Sequence, residues 1–294
     1  MAGGIFLSSS LLNAKIWPYI QLMRLDKPVG IYLVLWPALW ALWLAAEGIP
    51  PGLVLLVFIL GAIVMRSAGC VINDYADRHW DGAVARTAQR PLARCVITPR
   101  AALILFAGLC LVGFGLVLLL NTLTILLSVG ALVLATLYPF TKRFTHWPQM
   151  FLGAAFAWAV PMGYAAILGT VPYQAWLVFA ITLVWTLIYD TFYAITDRED
   201  DLKVGIKSTA ILFGRYDLLV IGLLQSVMLL LLVWLGIWIQ LGWAFWLSLL
   251  FVAGLFAWQL WQSRQRDSQA CFKAFKQNHW VGLAILVGLI IDYY

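Results

Sequence analysis

Residues 53–81, LVLLVFILGAIVMRSAGCVINDYADRHWD, decide the fold of this chain. The run from 53 to 72 is almost entirely apolar, and its length suits a helix that crosses a bilayer core of about 30 Å. Because lipid offers the backbone no hydrogen-bond partners, such a run must be helical. Three aspartates, Asp74, Asp77 and Asp81, follow directly. The stretch therefore predicts a membrane helix that carries acidic side chains to one face of the bilayer.

Apolar runs of similar length recur from residue 29 onward. Of the 294 residues, 64% are hydrophobic and 11% are charged, whereas soluble domains are about half apolar and a quarter charged. The alternating strands of a membrane β-barrel are absent from the sequence. We predict an all-α membrane protein in which an N-terminal segment, 1–28, precedes a single transmembrane domain, 29–294. Its nine helices are expected near residues 29–46, 53–72, 101–120, 122–138, 150–168, 173–196, 216–239, 241–261 and 279–293.

The distribution of basic residues predicts an orientation. The loops after the first, third, fifth and seventh predicted helices contain no Lys or Arg, and apart from Arg66 the basic residues lie in the N-terminal segment or the other loops. By the positive-inside rule, the N-terminus and those other loops are cytoplasmic. Residues 1–16 carry no basic residue before their apolar part and no clear cleavage site, so a removable signal peptide is not expected.

Two acidic clusters lie at the cytoplasmic ends of the second and sixth helices. On an ideal helix, the first cluster falls within an arc of about 100° and consists of Asn73, Asp74, Asp77 and Asp81. The second falls within about 40° and consists of Asp190, Asp197 and Asp201. Each cluster can therefore face one shared space.

The cost of charge near a membrane favours a function for these clusters. Ionisable groups in membrane helices are costly, and grouped carboxylates raise one another's pKa unless a cation intervenes. Their oxygen ligands suit a hard cation such as Mg²⁺, which would keep sites open for phosphate oxygens. Basic residues that could hold a diphosphate stand nearby: Arg86, Arg90, Lys142, Arg143, Lys203 and Lys207. The alternative is a set of solvated loop charges, which remains adequate for Glu199, Asp200 and Asp267.

A second group of polar residues is predicted to lie deeper in the membrane. Arg66 precedes Asn73 by two helical turns on nearly the same face, and Asp190 lies at a similar depth on the sixth helix. Arg66 is a candidate for binding the carboxylate of an anionic acceptor, and Asp190 for orienting or deprotonating a phenol. Tyr138, on the same face as Lys142, is a further candidate. The alternative is an Arg66–Asp190 ion pair that only joins two helices.

These motifs resemble those of the intramembrane aromatic prenyltransferases of the UbiA superfamily. Residues 73–81 are similar to their first signature, Asp197-x-x-x-Asp201 to their second and Tyr138-x-x-x-Lys142 to a third. Residues 24–28, 86–92 and 205–209 also match, and residues 189–194 are similar to the branch that uses 4-hydroxybenzoate. The resemblance covers nearly the whole chain. One departure is Ala93-Arg94-Cys95, where the family often has a turn that contains glycine.

The resemblance implies nine helices around a central cavity in a bacterial inner membrane. It also implies transfer of a polyprenyl group from its diphosphate to the carbon ortho to the hydroxyl of 4-hydroxybenzoate, a step of ubiquinone biosynthesis. Two Mg²⁺ ions are expected to be held through the diphosphate by Asp74, Asp77, Asp81, Asp197 and Asp201. The diphosphate itself is expected to contact Asn73, Arg86, Arg90, Lys142 and Lys207. The aromatic acceptor is expected to contact Arg66, Asp190 and Tyr138.

Other functions remain open at the level of sequence. The same metal chemistry would serve a homogentisate, naphthoate, haem or glycerol phosphate acceptor, although Arg66 with Asp190 favours a small phenolic acid. A cation or proton transporter is a further alternative, because intramembrane carboxylates also line ion paths. Against transport, the carboxylates crowd one membrane face. Nothing in the sequence indicates a nucleic-acid partner.

Overall fold

The fold was determined as a computed structural model that describes residues 15–83 and 86–294. Within these residues every regular element is helical, and nine helices are long and apolar enough to span a membrane. We number them α1 Val29–Ala46, α2 Gly52–Asp77, α3 Pro99–Val117, α4 Thr122–Thr141, α5 Pro148–Leu168, α6 Tyr173–Val204, α7 Thr209–Trp238, α8 Trp243–Gln262 and α9 Ser268–Asp292. The predicted all-α membrane fold is confirmed. Residues 1–14 of the predicted N-terminal segment, and with them most of the stretch considered as a signal peptide, lie outside the described residues.

The helices of α2, α6 and α9 each continue at least five residues beyond a predicted end, into more polar sequence. The second was predicted to end at residue 72 and reaches Asp77; the sixth was predicted to end at 196 and reaches Val204. The ninth was predicted to begin at 279 and begins at Ser268. Hydropathy marks where the lipid contact stops, but backbone hydrogen bonding continues wherever the side chains find polar surroundings. Asp74 and Asp77, and likewise Asp197 and Asp201, therefore lie on the extended ends of helices rather than in loops.

Two of the spans are interrupted. Span α5 consists of the helices Pro148–Ala157 and Ala159–Leu168, with Trp158 at their junction. The Trp158 indole donates a hydrogen bond of 2.8 Å to the carbonyl of Leu127 in α4. Span α7 begins with a short helix and a 3-10 turn, and its long helix runs from Asp217 to Trp238.

The core extends from α1 through α6 and α9 to α7 and α8. The indoles of Trp40 and Trp185 are fully buried, with ring centroids 5.2 Å apart. Trp40 donates to the carbonyl of Gly282 and Trp185 to the side chain of Asn278, both at 3.0 Å. By contrast, α3 is mostly exposed, with Ile104 at 74% and other apolar side chains like it. Such an apolar exterior suits lipid, not water.

The ninth span is secured at its C-terminal end by Asp292. The carboxylate of Asp292 accepts hydrogen bonds of 3.1 Å from the backbone amides of Ala244 and Phe245. These amides belong to the first turn of α8, where the backbone has no partner within the helix. Asp292 thus caps a neighbouring helix, and its charge opposes the positive end of that helix.

Replacing Asp292 with Ala is therefore expected to lower the free energy of unfolding by about 1 kcal/mol. The change removes both hydrogen bonds and leaves two amides unpaired. Thermal unfolding in detergent micelles measures the effect as a lower Tm. Asp292→Asn retains an acceptor oxygen and should fall between the two; a Tm for Asp292→Ala equal to that of the unchanged protein would contradict the capping role.

Candidate active site

A cavity of about 1210 Å³ opens among the N-terminal segment and spans α1 to α6 and α9. Every residue of the expected metal, diphosphate and acceptor sites lines it, whereas the nearby Arg143 and Lys203 do not. The site residues that line it are Arg66, Asn73, Asp74, Asp77, Asp81, Arg86, Arg90, Tyr138, Lys142, Asp190, Asp197, Asp201 and Lys207. The two acidic clusters, more than 100 residues apart in the chain, thus share one space.

The first acidic cluster is neutralised by arginines from two directions. Asp74 is buried on the last turn of α2 and accepts hydrogen bonds of 3.0 and 2.8 Å from Arg24. Arg90 lies 3.0 Å from both Asp74 and Asp81. The loop that carries Arg90 is held by Thr87, whose hydroxyl donates to the carbonyl of Asp81 at 2.9 Å. One guanidinium therefore joins two carboxylates at the cavity wall.

Basic residues also connect the first cluster to the second half of the chain. Arg86 follows α2 in the chain and donates to Asp197 of α6, with a separation of 2.8 Å from Nε to Oδ1. Lys142, at the end of α4, forms an ion pair with Asp77. The backbone amide of Lys207 donates to the carbonyl of Lys142 at 3.0 Å. Segments from α2, α4 and α6 are thereby brought to the same end of the cavity.

The pKa of Asp81 shows how burial and neighbouring carboxylates disfavour negative charge in this cluster. Asp81 lies in a 3-10 turn just beyond α2. Burial raises the pKa of the Asp81 carboxyl to about 6, although Arg90 opposes the rise; Asp74 and Asp77 add to it. A cation placed among these carboxylates would favour their ionised forms.

The donor set fits a divalent hard cation. Among the described residues, no group of three or more His, Cys, Asp or Glu side chains is already arranged as a metal site. Asp74, Asp77, Asp81 and Asp197 are instead paired with arginines or a lysine. Two buried oxygens nevertheless lack any partner, Oδ1 of Asn73 and Oδ1 of Asp77. Buried acceptors are nearly always satisfied. These oxygen-only ligands match the preference of Mg²⁺, and a cation would replace the arginine and lysine contacts.

The deeper layer does not contain the ion pair considered from sequence. Arg66 makes no ion pair or hydrogen bond among the described residues, and its buried Nε has no partner. The guanidinium instead lies 5.6 Å from the ring centroid of Phe156. Tyr138 and Asp190 line the same cavity. Arg66 is thus an unpaired cation that faces a space lined by a phenol and a carboxylate.

Two residues at the site were missed from sequence. Arg24 belongs to a stretch noted for its resemblance but was given no role, and it reaches Asp74 from a left-handed backbone conformation with φ of 57°. No sequence pattern announces that geometry in a non-glycine residue. Tyr193 of α6 lies under the guanidinium of Arg86, 4.5 Å from its ring centroid. An aromatic residue in an apolar helix gives no signal of such a cation–π contact.

Ion pairs on the side of α6 that faces away from the cavity hold its acidic end in place. Asp217 is fully buried and forms ion pairs with Arg198 and with Arg266, the latter at 2.8 Å. Arg198 follows Asp197 directly in the chain. The pairing of Arg198 behind the helix therefore helps to direct Asp197 forward into the cavity.

Sequence similarity to known proteins extends over nearly the whole chain. It is 60% identical to a 4-hydroxybenzoate octaprenyltransferase of Hydrogenovibrio crunogenus over 278 residues, which is 95% of this chain and 98% of that protein. It is 56% identical to a 4-hydroxybenzoate octaprenyltransferase of Pseudomonas aeruginosa over 282 residues, 96% of this chain and 95% of that one.

Solved structures share the fold. A UbiA homolog from Aeropyrum pernix K1, in its apo form, superposes with a TM-score of 0.80 at 25% identity and covers 90% of this chain and 98% of its own. A homolog from Archaeoglobus fulgidus bound to GPP and Mg²⁺ gives 0.72 at 16% identity, covering 93% and 99%. The model of the UbiA prenyltransferase family matches residues 34–282. With nine membrane-spanning helices in residues 15–83 and 86–294 and a cavity that both acidic motifs line, this integral membrane protein belongs to the UbiA prenyltransferase family.

Proposed function

We propose that the protein transfers a polyprenyl group from polyprenyl diphosphate to the carbon ortho to the hydroxyl of 4-hydroxybenzoate and releases diphosphate, a step of ubiquinone biosynthesis. The observation that carries the proposal is the single cavity in which two acidic clusters face basic residues and an unpaired Arg66 lies deeper. The names of relatives up to 60% identical agree with it. A diphosphate and an aromatic acid need these two kinds of binding group.

The polar end of the cavity is proposed to bind the diphosphate. Two Mg²⁺ ions, which supply positive charge that stabilises the leaving group, would be held there by Asp74, Asp77, Asp81, Asp197 and Asp201. Once the carboxylates turn to the metal, the arginines and lysines that now pair with them become available to phosphate oxygens. Arg86, Arg90 and Lys142 are in these pairs. Asn73 and Lys207 complete the proposed diphosphate contacts.

The deeper end is proposed to bind the acceptor. The guanidinium of Arg66 binds the carboxylate of 4-hydroxybenzoate, while Tyr138 and Asp190 contact its hydroxyl end. As the carbon–oxygen bond to diphosphate breaks, the ortho carbon of the ring attacks the allylic cation. Asp190 orients the phenol or takes its proton. Transfer of the ring proton to the released diphosphate then restores aromaticity, and a proton taken up by Asp190 returns to the phenol oxygen.

The apolar walls of the cavity are proposed to protect and stabilise the allylic cation. Water inside the cavity would capture the allylic cation, so it must be excluded. The aromatic rings of Phe156, Tyr189 and Tyr193 line the cavity and can stabilise positive charge through their faces.

The position of the site suits a substrate anchored in lipid. Each methylene moved from lipid to water costs about 0.8 kcal/mol, so a long polyprenyl tail stays in the bilayer. We place the protein in the bacterial inner membrane with its N-terminus and diphosphate site toward the cytoplasm, on the distribution of Lys and Arg among its loops. The aromatic acid then arrives from the cytoplasm.

Product analysis by mass spectrometry tests this proposal. Purified protein is given 4-hydroxybenzoate, a polyprenyl diphosphate and Mg²⁺, and the expected product is the acid carrying one prenyl group in place of a ring hydrogen. Chelation with EDTA should reduce product to background, and added Mg²⁺ should restore it. Homogentisate and a naphthoate are run in parallel. If the amount of product were the same in EDTA, a requirement for Mg²⁺ would be contradicted. If product formed only from homogentisate or the naphthoate, 4-hydroxybenzoate would not be the acceptor.

A further inference from the structure

Gly30 of α1 lies directly against the guanidinium of Arg66. A Cβ atom built on Gly30 would stand 2.6 Å from Nε, 2.7 Å from Nη2 and 3.0 Å from Cζ of Arg66. Both residues line the cavity. The guanidinium therefore occupies the volume that any other amino acid at position 30 would need.

This contact is notable because little else positions Arg66. The side chain makes no hydrogen bond or ion pair among the described residues, and Nε is buried without a partner. Its guanidinium makes a cation–π contact with Phe156, with 5.6 Å between Cζ and the ring centroid. No hydrogen bond fixes the guanidinium among the described residues, so packing contributes to its orientation, and the bare backbone of Gly30 forms part of that packing surface.

We propose that Gly30 is a positioning residue, which by lacking a side chain lets Arg66 hold the orientation that receives the acceptor's carboxylate. This rests on the proposed function, in which Arg66 binds that carboxylate. A guanidinium presents its donors in a rigid fork, so a small displacement loses the paired geometry with a planar carboxylate. Gly30 therefore contributes to selection of an anionic acceptor without touching it.

The substitution Gly30→Ala separates this role from a role in folding. The backbone of Gly30 has no positive φ, and alanine favours a helix more than glycine does. The atoms that would collide with the new methyl group belong to the flexible end of Arg66. The helix can remain in place while the guanidinium moves.

Steady-state kinetics with 4-hydroxybenzoate and a polyprenyl diphosphate test the proposal. For Gly30→Ala we expect the KM for the acid to rise about tenfold, as loss of a charge-assisted hydrogen bond does. The KM for the diphosphate should stay unchanged. The Tm should rise only slightly, because alanine favours a helix more than glycine does. The matched control is Gly108→Ala in α3, which lies outside the cavity lining and has no atom within 4 Å of its built Cβ.

Two further measurements identify Arg66 as the intermediary. The preference for 4-hydroxybenzoate over the uncharged 4-hydroxybenzamide should shrink in Gly30→Ala, and Gly30→Ala should add nothing to the KM of Arg66→Ala. An unchanged KM for the acid in Gly30→Ala, or an equal rise in the Arg66→Ala background, would overturn the inference. Absence of activity toward 4-hydroxybenzoate in the unsubstituted protein would instead overturn the proposed function.

Discussion

Replacing Asp197 with Asn is expected to reduce the rate of prenyl transfer by about a hundredfold to a thousandfold, a loss typical of removing one preorganised electrostatic contact. The amide keeps the volume and an acceptor oxygen for Arg86, but it lacks the negative charge that would hold Mg²⁺ against the diphosphate. Initial rates at saturating substrate and Mg²⁺ measure the effect. The same loss is expected for Asp74→Asn in the first acidic cluster.

The control for this substitution is Glu199→Gln. Glu199 lies two residues further along α6 and is exposed, so the change removes an equal charge without altering the cavity. Size-exclusion chromatography in detergent checks that each variant is folded. Full activity in both Asp197→Asn and Asp74→Asn would show that the two clusters do not share a metal-bound diphosphate.

Replacing Arg66 with Ala is expected to raise the KM for 4-hydroxybenzoate by about tenfold to a hundredfold, the range for losing a hydrogen bond to a charged group. Because Arg66 has no partner to lose among the described residues, the change removes a binding group without breaking an internal ion pair. Measuring the KM of each substrate shows which binding site is affected. The KM for polyprenyl diphosphate should stay unchanged.

The uncharged acceptor 4-hydroxybenzamide provides the internal control for Arg66→Ala. It has nearly the shape of the acid but no carboxylate, so its KM should hardly respond to the loss of Arg66. If the KM for the acid also failed to respond, Arg66 would not bind the acceptor's carboxylate.

The number of spans could be predicted from sequence because each apolar run has the length of a bilayer crossing. Their polar ends could not. At residues 197–204 of α6 and 268–278 of α9, charge and polarity suggested loops, yet the helices continue because their side chains meet a polar cavity or one another. Arg66 and Asp190, considered from sequence as an ion pair, line the same cavity without forming a direct ion pair among the described residues.

The sequence by itself determined that the chain is a membrane protein with nine spans, and that Asp74, Asp77 and Asp81 share one face of a helix. Both follow from local rules, the length of apolar runs and the angle between successive residues. Only the tertiary structure decided that Arg86 reaches Asp197 and that Gly30 makes room for Arg66. Helical periodicity fixes where a side chain points on its own helix, whereas packing between helices decides what it meets.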